Sequence, residues 1–247
     1  MIVTAAVCPA PPLLARELTG TDPVLPELRQ ACLEATAALL RPAPDLVTVV
    51  GVADSTRPFD ADGHFDVAAY APALGGRAVV GECEHVAERS APGKAEPVPL
   101  PLGLGNRLLD EAGYAGERML YAVGERERPV DCAALGARLA TAGERAALLV
   151  MADGSARRGL KAPGYLDPRS APFDADVERA VRGGDMAGLL AVDPELALEL
   201  MATGRAAWQV LAGALAGRRV TCEVRYCGDP FGVAYLVASL GLTAFDG

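Results

Sequence analysis

Two kinds of segment alternate along the chain. Residues 2–8 (IVTAAVC), 46–52 (LVTVVGV) and 146–151 (AALLVM) are continuous apolar runs of strand length. Without polar alternation, such runs read as strands buried on both faces of a sheet. Residues 119–123, 220–227 and 233–240 are shorter or more mixed runs of the same kind. Between them the period changes. Leu28, Cys32, Ala35 and Leu39 recur at helical spacing and predict a helix over 27–40, with Thr21-Asp22-Pro23 as its start and Pro42 and Pro44 as its stop. Further helices are predicted over 102–112, from Asp131 to about 142, over 174–182 and 185–191, and within 194–215, the last as one long helix or two broken near Gly204. Asp131 is read as an N-cap, because its carboxylate can accept from the free N–H groups of a first turn.

The remaining stretches read as connections. Residues 59–76 form a polar loop with Asp60, Asp62, His64 and Asp66, 78–85 a short strand, and 92–101 a Pro-rich connection. Asp229-Pro230-Phe231-Gly232 has strong turn chemistry between the last two strands. Strands alternating with helices imply an α/β fold: a single three-layer α/β/α domain over 1–247, around a mixed, largely parallel sheet. The closing strand–turn–strand unit is what makes the sheet mixed.

Composition narrows the class. Of 247 residues, 51% are hydrophobic and 22% charged, which is the balance of a folded globular chain. The net charge of −9 and the lack of a basic stripe argue against a nucleic-acid partner. Six cysteines (Cys8, Cys32, Cys83, Cys132, Cys222 and Cys227) are read as free buried thiols, and the C-x4-C of Cys222 and Cys227 lacks the second pair or nearby His of a zinc site. The apolar N-terminus has no basic residue before Arg16 and is broken by Pro9, Pro11 and Pro12, so it reads as a strand and the protein as cytoplasmic. No run reaches membrane-spanning length.

Candidate chemistry gathers at strand ends, where open α/β sheets hold their ligands. The runs ending at Val7, Val52 and Met151 each lead into a polar loop. If those strands are neighbours, Cys8, Asp54, Ser55, Asp153 and Ser155 converge on one cleft. Taken singly, each is equally a turn or cap residue. Arg157, Arg158, Lys161 and Arg169 form a basic cluster in an acidic chain. They read as an anion site or as a loop of internal salt bridges. Glu82-Cys83-Glu84-His85 alternates faces on a strand and reads as an exposed edge, not a metal cluster, and His64 reads as a surface residue. Gly103-Leu104-Gly105-Asn106-Arg107-Leu108 fails the dinucleotide fingerprint at its last position, and neither a P-loop nor a nucleophile elbow occurs.

The order of four motifs carries a resemblance. The first strand leads into C-P-x-P-P-L-L at Cys8 to Leu14, a central strand into D-G-S-A-R-R at Asp153 to Arg158, a helix bears G-R-A-A-W-Q-V-L-A-G-A at Gly204 to Ala214, and the closing unit reads D-P-F-G-V-A-Y-L-V-A at Asp229 to Ala238. Over nearly the whole chain this resembles the class III extradiol ring-cleavage dioxygenases, the family of the catalytic β subunit of protocatechuate 4,5-dioxygenase, whose fold Memo-like proteins share. The resemblance implies a non-haem Fe(II) on two His and one Glu, a further His as acid/base, and assembly as a homodimer or with a second subunit.

The implied ligands are not in the sequence. The first His position of the family is Ala10, the second falls in Ala53-Asp54-Ser55, and the catalytic His position is Ala156. The Glu ligand belongs just before Trp208, yet no Asp or Glu lies between Glu199 and Glu223. The chain has two His, His64 and His85, and neither stands in a ligand motif. The expectation is therefore a homologue without Fe(II) or other cofactor, a pseudoenzyme binding a small anionic or aromatic molecule or a partner protein. Its pocket would be formed by Cys8, Asp54, Ser55, Asp153, Ser155, Arg157 and Arg158. The alternative is an enzyme with re-purposed chemistry in the same cleft, with Ser155 or Cys8 as nucleophile or Asp54 and Asp153 as acid/base. A third reading is a structural or regulatory subunit.

Overall fold

A computed structural model of the chain describes residues 1–19, 24–63, 65 and 97–243. The strand expected over 78–85, the helix start at Thr21-Asp22-Pro23, both histidines and Cys83 lie outside the described residues. The elements are β1 (Ile2–Cys8), α1 (Arg16–Thr19), α2 (Pro26–Leu40), β2 (Leu46–Ala53), β3 (Arg57–Phe59), α3 (Leu100–Glu111), β4 (Glu117–Gly124), α4 (Pro129–Leu139), β5 (Ala146–Met151), α5 (Ser170–Gly183), α6 (Met186–Leu190), α7 (Pro194–Glu199), α8 (Arg205–Ala214), β6 (Arg219–Gly228) and β7 (Tyr235–Thr243).

Among the described residues one seven-stranded sheet has the order β3-β4-β2-β5-β1-β7-β6. β4, β2, β5 and β1 are mutually parallel, whereas β3, β7 and β6 pair antiparallel to their neighbours. Every residue of β5 is buried because the strand has a partner on each side and helices over both faces. That explains a run with no polar alternation. Ala146, Leu148 and Val150 face the layer of α4 to α8, while Ala147, Leu149 and Met151 face α2 and α3. The fold is thus a three-layer α/β/α arrangement around a mixed, mostly parallel sheet.

The register brings the parallel strands to a common end. Met151 pairs with Gly51 on one side and Cys8 on the other, and Ala53 of β2 pairs with Gly124 of β4. The loops that follow these strands therefore leave the sheet at one level.

Several expected boundaries move. α4 starts two residues before Asp131, at Pro129, which suits a first helical position. Asp131 does not cap it; its carboxylate binds the Arg128 guanidinium at 2.5 Å. The helix over 194–215 is two helices, with the break at residues 200–204. β3 replaces the start of the expected loop: among the described residues Pro58 pairs only with Tyr121, at the edge of the described sheet, where a proline is tolerated. Cys8, Cys32 and Cys132 are buried, but Cys222 is half-buried and Cys227 exposed, since β6 is also an edge strand. Cys227 meets Glu178 at 3.3 Å.

α8 is the most deeply set helix, with Trp208, Gln209, Val210 and Leu211 all essentially inaccessible. Its contact with α4 needs a glycine. A Cβ on Gly136 would lie 2.0 Å from the Val210 carbonyl oxygen, a backbone atom that cannot swing aside. Gly136→Ala is expected to destabilise the protein by about 1–3 kcal/mol in urea unfolding, the usual cost of overpacking. Gly183→Ala, with open space around the added methyl, is the control and should change stability by less than about 1 kcal/mol.

Candidate functional site

The common end of the parallel strands opens into a cavity of about 570 Å³. That size suits a small molecule. Its wall is formed by Ala10 after β1, Val52 to Ser55 at the end of β2 and just after it, Arg57 and Phe59 of β3, Pro97, Pro99, Leu100 and Pro101 before and in α3, Glu125 after β4, Met151 and Asp153 at the end of β5, and Thr203 and Gly204 ahead of α8.

Asp153 is the joint of the site. Its carboxylate accepts the Ala10 N–H at 2.7 Å, and its carbonyl accepts the Gly204 N–H at 2.8 Å. On either side, Ala152 N–H donates to the Cys8 carbonyl at 2.8 Å and Gly154 N–H to the Ala234 carbonyl at 2.8 Å. Gly204 can approach only because it lacks a side chain, since a Cβ would stand 2.6 Å from the Asp153 carbonyl oxygen. Burial pushes the Asp153 carboxyl up to about 6, and the Ala10 hydrogen bond offsets only part of that rise.

Of the seven pocket residues expected, Asp54, Ser55 and Asp153 line the cavity. The other four do not, each for a local reason. Cys8 is fully buried at the end of β1 against Cys32, whose thiol that contact and burial both push well up. A thiol so placed is a core residue, not an accessible nucleophile. Ser155 is also buried: its N–H and Oγ both bind Asp174, at 2.9 and 2.5 Å, which locks the loop onto α5. Arg157 donates to the Gly164 carbonyl at 2.7 Å and the Glu199 carbonyl at 2.9 Å. Arg158 binds Asp229 at 2.9 Å and stands 3.8 Å from Asp174. Arg169, from the same basic cluster, binds both Asp167 and Glu199, and holds the Asp167 carboxyl down to about 2. Three of the four cations of this cluster, Arg157, Arg158 and Arg169, are thus engaged in internal hydrogen bonds and salt bridges, while Lys161 is exposed.

Sequence reasoning missed Arg57, Phe59, Glu125 and Thr203. Glu125 was within reach of the same rule that found Asp54, since it too follows a parallel strand. Arg57 and Phe59 were hidden in a three-residue strand carrying a proline. The Arg57 guanidinium lies over the Phe59 ring, 3.9 Å from its centre.

The donor set decides what the cavity can hold. Ala10 has no side-chain donor atom for a metal, and its backbone N–H is given to Asp153. Among the described residues no three His, Cys, Asp or Glu side chains stand together to share a metal ion. The described residues of the lining include no histidine, so they do not by themselves make a centre of two His and one carboxylate.

No family model matches the chain, and no curated protein does either. Among solved structures, the crystal structure of the uncharacterized protein JW3007 from Escherichia coli K12 is similar, with a TM-score of 0.51 at 13% identity over 96% of this chain and 99% of that one. At that identity the likeness concerns the fold alone. No helix among the described residues is long and apolar enough to cross a membrane.

The raised Asp153 carboxyl has a signed consequence for stability. An Asp carboxyl in an unfolded chain has the ordinary value of 3.8, so between about pH 4 and 6 the folded chain holds a proton that the unfolded chain has released. Stability attributable to Asp153 therefore falls as pH rises through that window. Asp153→Asn should remove the fall. The difference in unfolding free energy between variant and parent should shift by about 1–3 kcal/mol in the variant's favour between pH 4 and pH 7, measured by urea denaturation at each pH.

Proposed function

We propose that the chain is a homologue of the class III extradiol dioxygenases, one cytoplasmic domain that has lost the Fe(II) ligands and binds a small aromatic or otherwise apolar-bodied molecule without oxidising it. The observation that carries this reading is the pairing of Ala10 with Asp153. Ala10 occupies the position where the resemblance calls for an iron-binding His, and its backbone is tied to a carboxylate that forms part of the cavity wall. The cavity itself is intact, with a wall of Val52, Phe59, Leu100 and Met151 for an apolar body and a few polar groups to orient it. The basic cluster at Arg157 and Arg158 lies outside that wall, which favours the aromatic over the anionic ligand class.

A second reading, re-purposed chemistry in the same cleft, has one observation in its favour. A carboxyl raised to about 6 at the cavity wall is poised to exchange a proton near neutral pH. In that reading Asp153 takes a proton from a ligand O–H or N–H placed against it. Cys8 and Ser155 drop out, because both are buried. A role for the chain in a homodimer or beside a second subunit is compatible with either reading.

Purification of the chain with Fe(II) under anaerobic conditions, followed by metal analysis and a catechol assay, separates these readings from an active dioxygenase. Iron far below one equivalent and no ring-opened product are expected. Stoichiometric iron together with catechol cleavage would refute the proposal.

A further inference from the structure

The charges of the cavity are lopsided. Among the described residues three carboxylates contribute to its wall, Asp54 after β2, Glu125 after β4 and Asp153 at the end of β5, against one cation, Arg57. Asp54 and Glu125 are exposed at the mouth, and Asp153 is recessed. The three come from different strands, so no local turn motif explains their meeting. The cations of the 157–169 loop do not balance them: Arg157, Arg158 and Arg169 are held by carbonyls and carboxylates outside the wall, and Lys161 does not line it.

Asp153 sharpens the point. One of its oxygens takes the Ala10 N–H, and the other has no hydrogen-bond partner among the described residues. A carboxylate recessed in a wall, with one lone neutral donor, gains most from a ligand that brings a positive charge and several N–H donors. An ammonium group supplies both, with three donors on one centre. The rest of the wall, with Phe59, Leu100, Pro101 and Met151, suits an apolar or aromatic body. A carboxylate or phosphate ligand would meet three like charges and one opposite among the described lining residues. The overall charge of −9 also raises the local concentration of cations over that of anions. A bare metal ion is a poor alternative, since the described carboxylates are not clustered closely enough to chelate one.

Resting on the reading of the cleft as a small-molecule site, we propose that its occupant is an organic cation, a protonated amine on an apolar or aromatic body, whose ammonium group docks on Asp153 with Asp54 and Glu125 guiding it in.

The test uses three matched probes on the full chain: phenethylamine, 3-phenylpropionate and the neutral 3-phenyl-1-propanol, each titrated calorimetrically at about pH 7.5. Phenethylamine should bind at least about tenfold more tightly than the other two. Its affinity should fall about tenfold in Asp153→Asn, which keeps an acceptor for the Ala10 N–H, and by a smaller factor in the exposed Asp54→Asn. Glu144→Gln, which removes a distant exposed charge, should leave binding unchanged. In the parent, amine affinity should also weaken on going from about pH 7.5 to about pH 5, and this pH dependence should vanish in Asp153→Asn. Circular dichroism of each variant checks that it is folded. If the propionate or the alcohol binds as tightly as the amine, the cationic assignment is overturned while the cleft stands as a ligand site. If the amine binds equally well to Asp153→Asn and Asp54→Asn, it docks elsewhere and the proposal fails. If none of the three binds, the cleft reading falls together with the assignment built on it.

Discussion

The arrangement depends on the crossing at residues 152–154, where four segments far apart in the sequence are held by main-chain groups. Ala152 ties to Cys8, Asp153 to Ala10 and Gly204, and Gly154 to Ala234. Backbone groups leaving a sheet must find partners or stay in water. Here they find one another, and this sets the floor of the cavity. The Asp153 side chain supplies the bond that the main chain cannot, since Ala10 has already left the β1 ladder. The carboxylate that orders the cavity thus keeps one oxygen without a hydrogen-bond partner among the described residues.

Around that crossing, charge is sorted by depth and by side. Arg205, near the start of α8, is buried and satisfied by Glu127 and Glu125 carbonyls and by the Gln209 side chain, whose amide in turn binds the Leu190 and Val192 carbonyls. This network holds the loop after β4, and with it Glu125, at the mouth of the cavity. On the other side, Ser155, Asp174, Arg158 and Asp229 form a closed set that pins the loop after β5 to α5 and to the turn before β7. Guanidinium groups are spent on structure in both places, and the carboxylates at the strand ends are left facing the cavity.

Much of the fold was legible because burial on both faces leaves a plain mark. The run at 146–151 is β5 to the residue, and 46–52 differs from β2 by one. Helix positions followed from apolar spacing, but their ends did not, as Pro129 and the Arg128–Asp131 pair show for α4. β3 was illegible, since three residues with a central proline carry no period. The site was half legible. The rule that ligand loops follow parallel strands located Asp54, Ser55 and Asp153. It could not tell them from Ser155 and Arg158, whose partners Asp174 and Asp229 lie 19 and 71 residues onward. Which polar residue faces inward is decided by such distant pairings, and no local pattern records them.

The position of β1 in the sheet has a kinetic side. It lies between β5 and β7, so its two ladders join residues 2–8 to residues 146–151 and to residues 238–241. Neither can form by local zippering, and the second closes a loop of more than two hundred residues. Loop closure of that reach is slow, and folds dominated by such contacts assemble late. Until then the apolar edges of β5 and β7 are both unpaired, and the cavity floor does not exist, because Ala10 has not yet been brought to Asp153. The cavity is therefore among the last features to form as the chain folds, completed by the strand that comes first in the sequence.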